Sequence, residues 1–176
     1  MSRTHASAAG DGLLHPLVLL ALGLLLLNDH VFKAAAVGTP WSVVTGKLSD
    51  VCGVLFLPVL LVAGVELLQA ARSRLFRAQK AGDTADVRIA VFAAVFVAVF
   101  FALMKTVPAV GAVYAHALGA LQWPFLALAA LVSGEAVPGL RPVRHILDAT
   151  DVVVVPVAFV VVWLQRKRAA AAVKNG

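Results

Sequence analysis

Three short polar clusters lie at the ends of apolar stretches of this chain: Asn28-Asp29-His30, Lys47-Leu48-Ser49-Asp50 and Asp148-Ala149-Thr150-Asp151. Carboxylates and an imidazole that face one point can bind a hard or borderline cation, or relay protons. Charged groups at membrane depth are costly, so their presence there indicates function. Candidate ligand-binding residues are Asp29, His30, Lys33, Lys47, Asp50, His145, Asp148 and Asp151. Candidate metal ligands are Asp29, Asp50, Asp148 and Asp151.

The stretches that must position these clusters are predicted to be transmembrane helices. The chain is 61% hydrophobic with a mean hydropathy of +0.94, and the apolar residues are concentrated in runs. Soluble domains are typically about 45–50% apolar. Four clear spans are predicted, at 13–27, 51–69, 89–104 and 146–164. The first run is short and reaches spanning length only if residues 28–32 continue it.

The stretch 110–132 is apolar enough to cross, but it carries His116, Gln122, Trp123 and Pro124 in its middle. That pattern fits a re-entrant or interfacial helix pair as well as a span. Cytoplasmic loops are enriched in lysine and arginine. If 110–132 does not cross, ten such residues lie inside and five outside; if it crosses, the numbers are eight and seven. The charge distribution therefore favours an all-α bundle of four transmembrane helices plus one re-entrant or interfacial segment, with five spans as the alternative.

With four spans, both termini are cytoplasmic and the three polar clusters share the outer face of a bacterial cytoplasmic (inner) membrane. Five spans would put Asp148 and Asp151 on the face opposite Asp29 and Asp50. The expected organisation is a disordered N-terminus (1–11), a single transmembrane domain (12–165) and a basic cytoplasmic tail (166–176). The formal charge of +6 lies mostly beside the apolar runs, which indicates anionic lipid rather than nucleic acid. Cys52 is the single cysteine, so neither an internal disulfide nor a thiol metal cage is expected.

Each cluster also has a purely structural interpretation. Asp29 and Lys33 are four residues apart and can pair on one helix face. Ser49 or Asp50 suits the N-cap of the second span, and Thr150 or Asp151 suits that of the last span. If the helix already includes His145, then His145, Asp148 and Asp151 share one face at spacings of three residues. Glu66, near the end of the second span, is expected to reach toward Arg72 or another basic neighbour.

The motifs Asn-Asp-His-Val-Phe-Lys (28–33), Thr-Gly-Lys-Leu-Ser-Asp (45–50) and Asp-Ala-Thr-Asp (148–151) resemble those of a family of small bacterial multi-pass membrane proteins of unknown function. The resemblance covers roughly residues 20–165. The family's last motif more often reads Asp-Pro-Thr-Asp, and Ala149 replaces the proline here. The resemblance implies a bundle of about four helices, and it carries over neither an activity nor a catalytic residue.

Three functions remain open at this point. The leading one is a binding or permeation protein for a cation, a proton or a polar headgroup. The second is a membrane-embedded hydrolase or transferase that uses the same carboxylates with a divalent cation on a lipid substrate. The third is an accessory subunit of a larger membrane complex. The expected partners are the lipid bilayer and either another membrane protein or further copies of the chain. Whether the protein is an enzyme is not decided by its motifs.

Overall fold

A computed structural model describes residues 8–76 and 86–175, and within these residues the protein is all-helical without strands. The predicted all-α class is therefore confirmed. Its helices are α1 (Pro16–Ala36), α2 (Trp41–Leu75), α3 (Val87–Thr106), α4 (Pro108–Ser133) and α5 (Val160–Asn175). A 3-10 segment, Ala149–Phe159, leads directly into α5. Five stretches are long and apolar enough to cross a membrane: α1 to α4 and Ala149–Ala171.

Helix α1 begins with a proline in its first turn and a histidine as its N-cap. Pro16 occupies the first turn, where its missing N–H costs nothing. The Nδ1 atom of His15 accepts a hydrogen bond from the amide of Leu17 at 3.2 Å and caps the helix. The helix continues through Asn28–Phe32 as a π-helical turn before it ends at Ala36. The predicted extension of the first span beyond residue 27 is thus confirmed.

Helix α2 begins ten residues earlier than expected, at Trp41. The predicted N-cap at Ser49 or Asp50 is therefore wrong, because both residues lie inside the helix. Polar side chains support this early start. The hydroxyls of Ser42 and Thr45 bond to the carbonyls of residues 39 and 42, and Asn28 of α1 bonds to the second turn of α2.

The described chain divides into two compact units. Residues up to Val99 and from Val153 onward form the first unit, and Phe100–Val152 forms the second. Small residues dominate the core of the first unit. On α3, Ala90, Ala93 and Ala94 are at most 4% exposed, whereas Phe92 and Phe96 point outward. Small side chains such as these let neighbouring helices approach closely.

In the second unit, α4 is one continuous helix of 26 residues with Pro124 inside it. Of the two patterns left open for 110–132, the structure has a continuous helix and not a helix pair broken at the proline, since a transmembrane-type helix tolerates the lost backbone hydrogen bond. The helix ends at Gly134, whose φ of 71° is left-handed. Residues 135–148 are not helical. Pro138 and Pro142 lack backbone N–H groups and favour extended neighbours.

This extended stretch, 134–148, is called the return segment below. Because helical structure resumes only at Ala149, His145 and Asp148 do not lie on a helix. The expectation that His145, Asp148 and Asp151 share one helical face is consequently wrong.

Candidate functional site

One polar cluster of the first unit joins the π turn of α1 to the second and third turns of α2. The Nδ2 atom of Asn28 donates to the Thr45 carbonyl and to the Ser49 hydroxyl, both at 2.7 Å. The Ser49 hydroxyl donates to Asp29 Oδ1 at 2.5 Å, and Lys33 Nζ lies 2.8 Å from the same oxygen. We call these five residues the Asn28 cluster.

The π turn gives this cluster its shape. The amide of Lys33 donates to the carbonyl of Asn28, five residues back, instead of four. The widened turn lets Asn28 face α2 while Asp29 still reaches Ser49. Single π turns inside α-helices occur frequently at functional sites. In a regular helix, consecutive side chains point about 100° apart.

Among the residues that the structure describes, the side-chain oxygen of Asn28 has no hydrogen-bond partner, although the residue is 0% exposed. The amide cannot simply be reversed, because the Thr45 carbonyl can only accept a hydrogen bond and must face the NH₂ group. An unsatisfied buried acceptor costs about 1–3 kcal/mol. The two hydrogen bonds that Asn28 Nδ2 donates to Thr45 and Ser49 hold the side-chain amide in place. Asn28 Oδ1 is therefore a fixed acceptor that a suitable ligand would satisfy.

The remaining predicted residues of the first unit lie near this cluster along the chain. The predicted Asp29–Lys33 pair is confirmed, and each side chain is 43% exposed. His30 is exposed on the same π turn. Lys47 and Asp50 are half-buried on α2. Of the predicted site residues in this unit, Asp29 and Lys33 are in direct contact, and Ser49 joins them.

A second cluster, within the second unit, is an ion pair between the end of α3 and the start of the 3-10 segment. Lys105 Nζ lies 2.7 Å from Asp151 Oδ2, and these side chains are only 10% and 9% exposed. The sequence did not identify Lys105 as a site residue. The sequence did contain a usable signal: Lys105 follows the span 89–104, and Asp151 lies near the start of the last span. Four spans would place both residues at the same membrane face.

Two more predicted residues have structural roles beside this pair. Asp148 Oδ1 accepts bonds from the amide and the hydroxyl of Thr150, at 2.9 and 2.7 Å. Asp148 therefore caps the 3-10 segment, a role that the sequence had assigned to Thr150 or Asp151. His145 Nε2 lies 3.0 Å from the Met104 carbonyl, which can only accept, so this nitrogen carries a proton. The His145 ring also packs against Tyr114, with centroids 5.4 Å apart.

A third cluster, in the first unit, surrounds Glu66, whose side chain is 2% exposed. Its Oε1 accepts from Gln165 and from Arg168, both at 2.9 Å, and its Oε2 accepts from the amide of Gly10 at 2.8 Å. Arg168 also donates to the Ala8 carbonyl. Glu66 thus pairs with Arg168 and not with Arg72, which lies exposed six residues further along α2.

The predicted meeting of Asp29, Asp50, Asp148 and Asp151 involves residues of both units and stays a prediction. In the part of the chain that the structure describes, no group of three or more His, Cys, Asp or Glu side chains is arranged to hold a metal ion.

Comparisons with family models, with curated proteins and with solved structures find no match for this chain. The likeness of its three motifs to a family of small membrane proteins therefore stays a resemblance. The fold itself is that of an all-α protein with five membrane-competent helices, which is compatible with a multi-pass membrane protein.

Proposed function

We propose that this chain is a multi-pass protein of a bacterial cytoplasmic membrane that binds a small monovalent cation at the Asn28 cluster. The five membrane-competent helices support the membrane location. Exposed basic residues at the end of α2, at the start of α3 and on α5 are typical of a cytoplasmic face.

Contacts within the first unit support an orientation in which the stretch before α1 and the basic residues of α5 both lie on the cytoplasmic face. Gly10, Glu66 and Arg168 meet, so the stretch before α1, the C-terminal part of α2 and the middle of α5 share one end of this unit. Asn28 and Ser49 meet at the other end. Ser49 and Glu66 are seventeen residues apart on α2. That spacing corresponds to about 25 Å, close to the roughly 30 Å thickness of the hydrocarbon layer. The Asn28 cluster would then lie at the non-cytoplasmic edge.

The single observation that carries the proposal is the buried, unpartnered oxygen of Asn28. The Asn28 cluster supplies oxygen atoms as possible ligands, and oxygens suit a hard cation. One carboxylate, Asp29, supplies the negative charge, and the other oxygens are a neutral amide, a hydroxyl and a carbonyl. A site with so little charge suits a monovalent ion better than a divalent ion, which usually takes several carboxylates.

Lys33 provides a built-in competitor for this ion. Its ammonium group contacts Asp29 at 2.8 Å while both side chains remain 43% exposed. Such a pair is weak, since solvent screens it. A cation that approaches Asn28 and Asp29 can therefore replace the ammonium group, and Lys33 can swing into water. This exchange would let the ion leave as readily as it binds.

The test is thermal unfolding of the full chain in detergent micelles, with sodium or potassium varied against a bulky organic cation at constant ionic strength. A ligand that binds only the folded state stabilises it by about 2.7 kcal/mol at one hundred times its dissociation constant. We expect a saturable rise in the midpoint with one of the two ions. Asn28→Leu and Asp29→Asn should abolish this rise.

Ser42→Ala is the matched control, because its exposed hydroxyl bonds only within its own turn, to the Thr39 carbonyl. This variant should keep the full ion response. An ion response that is absent in the parent chain, or unchanged in both site variants, would refute the proposal.

A further inference from the structure

The return segment runs back along α4 in the opposite direction. The indole nitrogen of Trp123 donates to the Pro138 carbonyl at 2.8 Å, and the amide of Val143 donates to the Ala115 carbonyl at 3.0 Å. Position 138 thus lies against 123, and 143 against 115. The chain that leaves α4 at Gly134 therefore retraces most of the length of that helix.

Two glycines of α4 make room for this close approach. A Cβ atom on Gly119 would overlap the carbonyl group of Arg141, and one on Gly111 would lie 2.8 Å from the His145 ring. Gly111, Ala115 and Gly119 follow one another at intervals of four, so they form one stripe on the helix. Such a stripe usually packs a second helix. Here it carries an extended chain instead.

That arrangement places polar groups at the middle of α4. The backbone carbonyl of Arg141 lies against Gly119, near the centre of a helix about 39 Å long. Residues 134–142 are all exposed, including Glu135 and Arg141. Being non-helical, they lack the backbone hydrogen bonds that make a helix tolerable in lipid.

Lipid cannot cover this surface. Each unpaired backbone group in hydrocarbon costs several kcal/mol, and an arginine at the bilayer centre adds about 2.5–3.5 kcal/mol or more. Non-helical backbone at membrane depth is tolerated where it is buried in protein or lines a water-filled cavity. A protein cover would have to neutralise two exposed arginines, Arg141 and Arg144, whereas water solvates them without a dedicated partner.

We infer that the return segment and the stripe of α4 beneath it border a water-filled recess within the membrane that admits small anions. The preference for anions follows from where the charges lie: Arg141 and Arg144 are three positions apart in the interior of the segment, whereas its two carboxylates, Glu135 and Asp148, lie at its opposite ends, and Asp148 is bonded to Thr150. A positive potential in a low-dielectric setting concentrates negative ions. The inference shares only the membrane location with the proposed function and is independent of the Asn28 cluster.

Gly139→Cys is the best probe, because a Cβ atom there meets nothing within 4 Å and both arginines are kept. Ala117→Cys is the matched control, since it lies about one helical turn from the level of Gly139, is exposed, and occupies the opposite side of α4. Both are made in the full chain with Cys52, the single cysteine, changed to alanine. The protein in lipid vesicles is treated with charged, membrane-impermeant methanethiosulfonate reagents.

We expect Gly139→Cys to react at least about tenfold faster than Ala117→Cys, since thiols in hydrocarbon are not ionised. The rate ratio of the anionic to the cationic reagent, relative to a free thiol, should exceed one and fall about threefold on Arg141→Gln. A Gly139→Cys that reacts only after solubilisation overturns the recess. Equal reactivity of the two cysteines also overturns it, because the helix would then lie in bulk water. If Arg141→Gln leaves the ratio of the anionic to the cationic reaction rate unchanged, the anion preference is overturned.

Discussion

Two lysine–aspartate pairs of nearly equal length differ in their surroundings. Lys33 and Asp29 are 2.8 Å apart and each 43% exposed, whereas Lys105 and Asp151 are 2.7 Å apart and about one-tenth exposed. Distance alone would make them equivalent. The two pairs differ in burial, because solvent screens the first pair and the second has exchanged most of its water shell for contacts within the protein. The first pair is therefore suited to exchange a ligand, and the second to hold two segments of its unit together.

The largest expected effect concerns the buried pair. Lys105→Met removes the cation that faces the Asp151 carboxylate, and we expect a loss of about 3–5 kcal/mol in the free energy of unfolding. Denaturant titration in mixed micelles measures it. The double variant Lys105→Met/Asp151→Leu should recover most of this loss, since apolar replacements can substitute for a buried pair. If Lys105→Met loses less than about 1 kcal/mol, the buried pair contributes no more to stability than the exposed pair, and the comparison is wrong.

An intermediate effect is expected at Glu66. Glu66→Gln keeps the shape but replaces one acceptor oxygen by an NH₂ donor, and it removes the negative charge beside Arg168, which is 15% exposed. The charge-assisted bonds weaken, and we expect a loss of about 1.5–3 kcal/mol in the same titration. Glu135→Gln, at an exposed position, is the control and should stay within about 0.5 kcal/mol of the parent. Equal effects of the two variants would contradict the ranking by burial.

The smallest effect is expected for the exposed pair. Lys33→Met should change the free energy of unfolding by less than about 1 kcal/mol, and added salt should shrink the change further. If Lys33 competes with the bound ion, the same variant should bind the ion more tightly, which calorimetric titration measures. A destabilisation above about 2 kcal/mol would show that the pair is not exchangeable, and the comparison would fail.

Apolar runs were sufficient to predict the fold class and most helices. The number and approximate position of the membrane-competent stretches follow from the apolar runs alone. The continuation of α1 through Asn28 was also predictable, because the first run was too short to span without it. Helix starts were less predictable: α2 begins at Trp41 because side-chain contacts with α1 support its first turns, and such contacts are invisible in a local pattern.

The partners of the buried charges lay beyond sequence reasoning. Glu66 and Arg168 are 102 positions apart, and Lys105 and Asp151 are 46 apart. Local spacing cannot choose between Arg168 and its neighbours Arg166 and Lys167. The prolines and glycines of the stretch after α4 are typical of a loop. Its course along α4 was not predictable, since two glycines eight residues apart with an alanine midway ordinarily indicate helix packing.

The hydrogen-bond network at Glu66 joins residues that are synthesised far apart in time. Gly10 leaves the ribosome before Glu66, but Arg168 follows Glu66 by about a hundred residues. Throughout that interval the growing chain holds the Glu66 carboxylate without the arginine that pairs with it in the folded unit. A chain truncated before Arg168 would therefore have to bury or expose an unpaired carboxylate within α2, which raises its cost of folding.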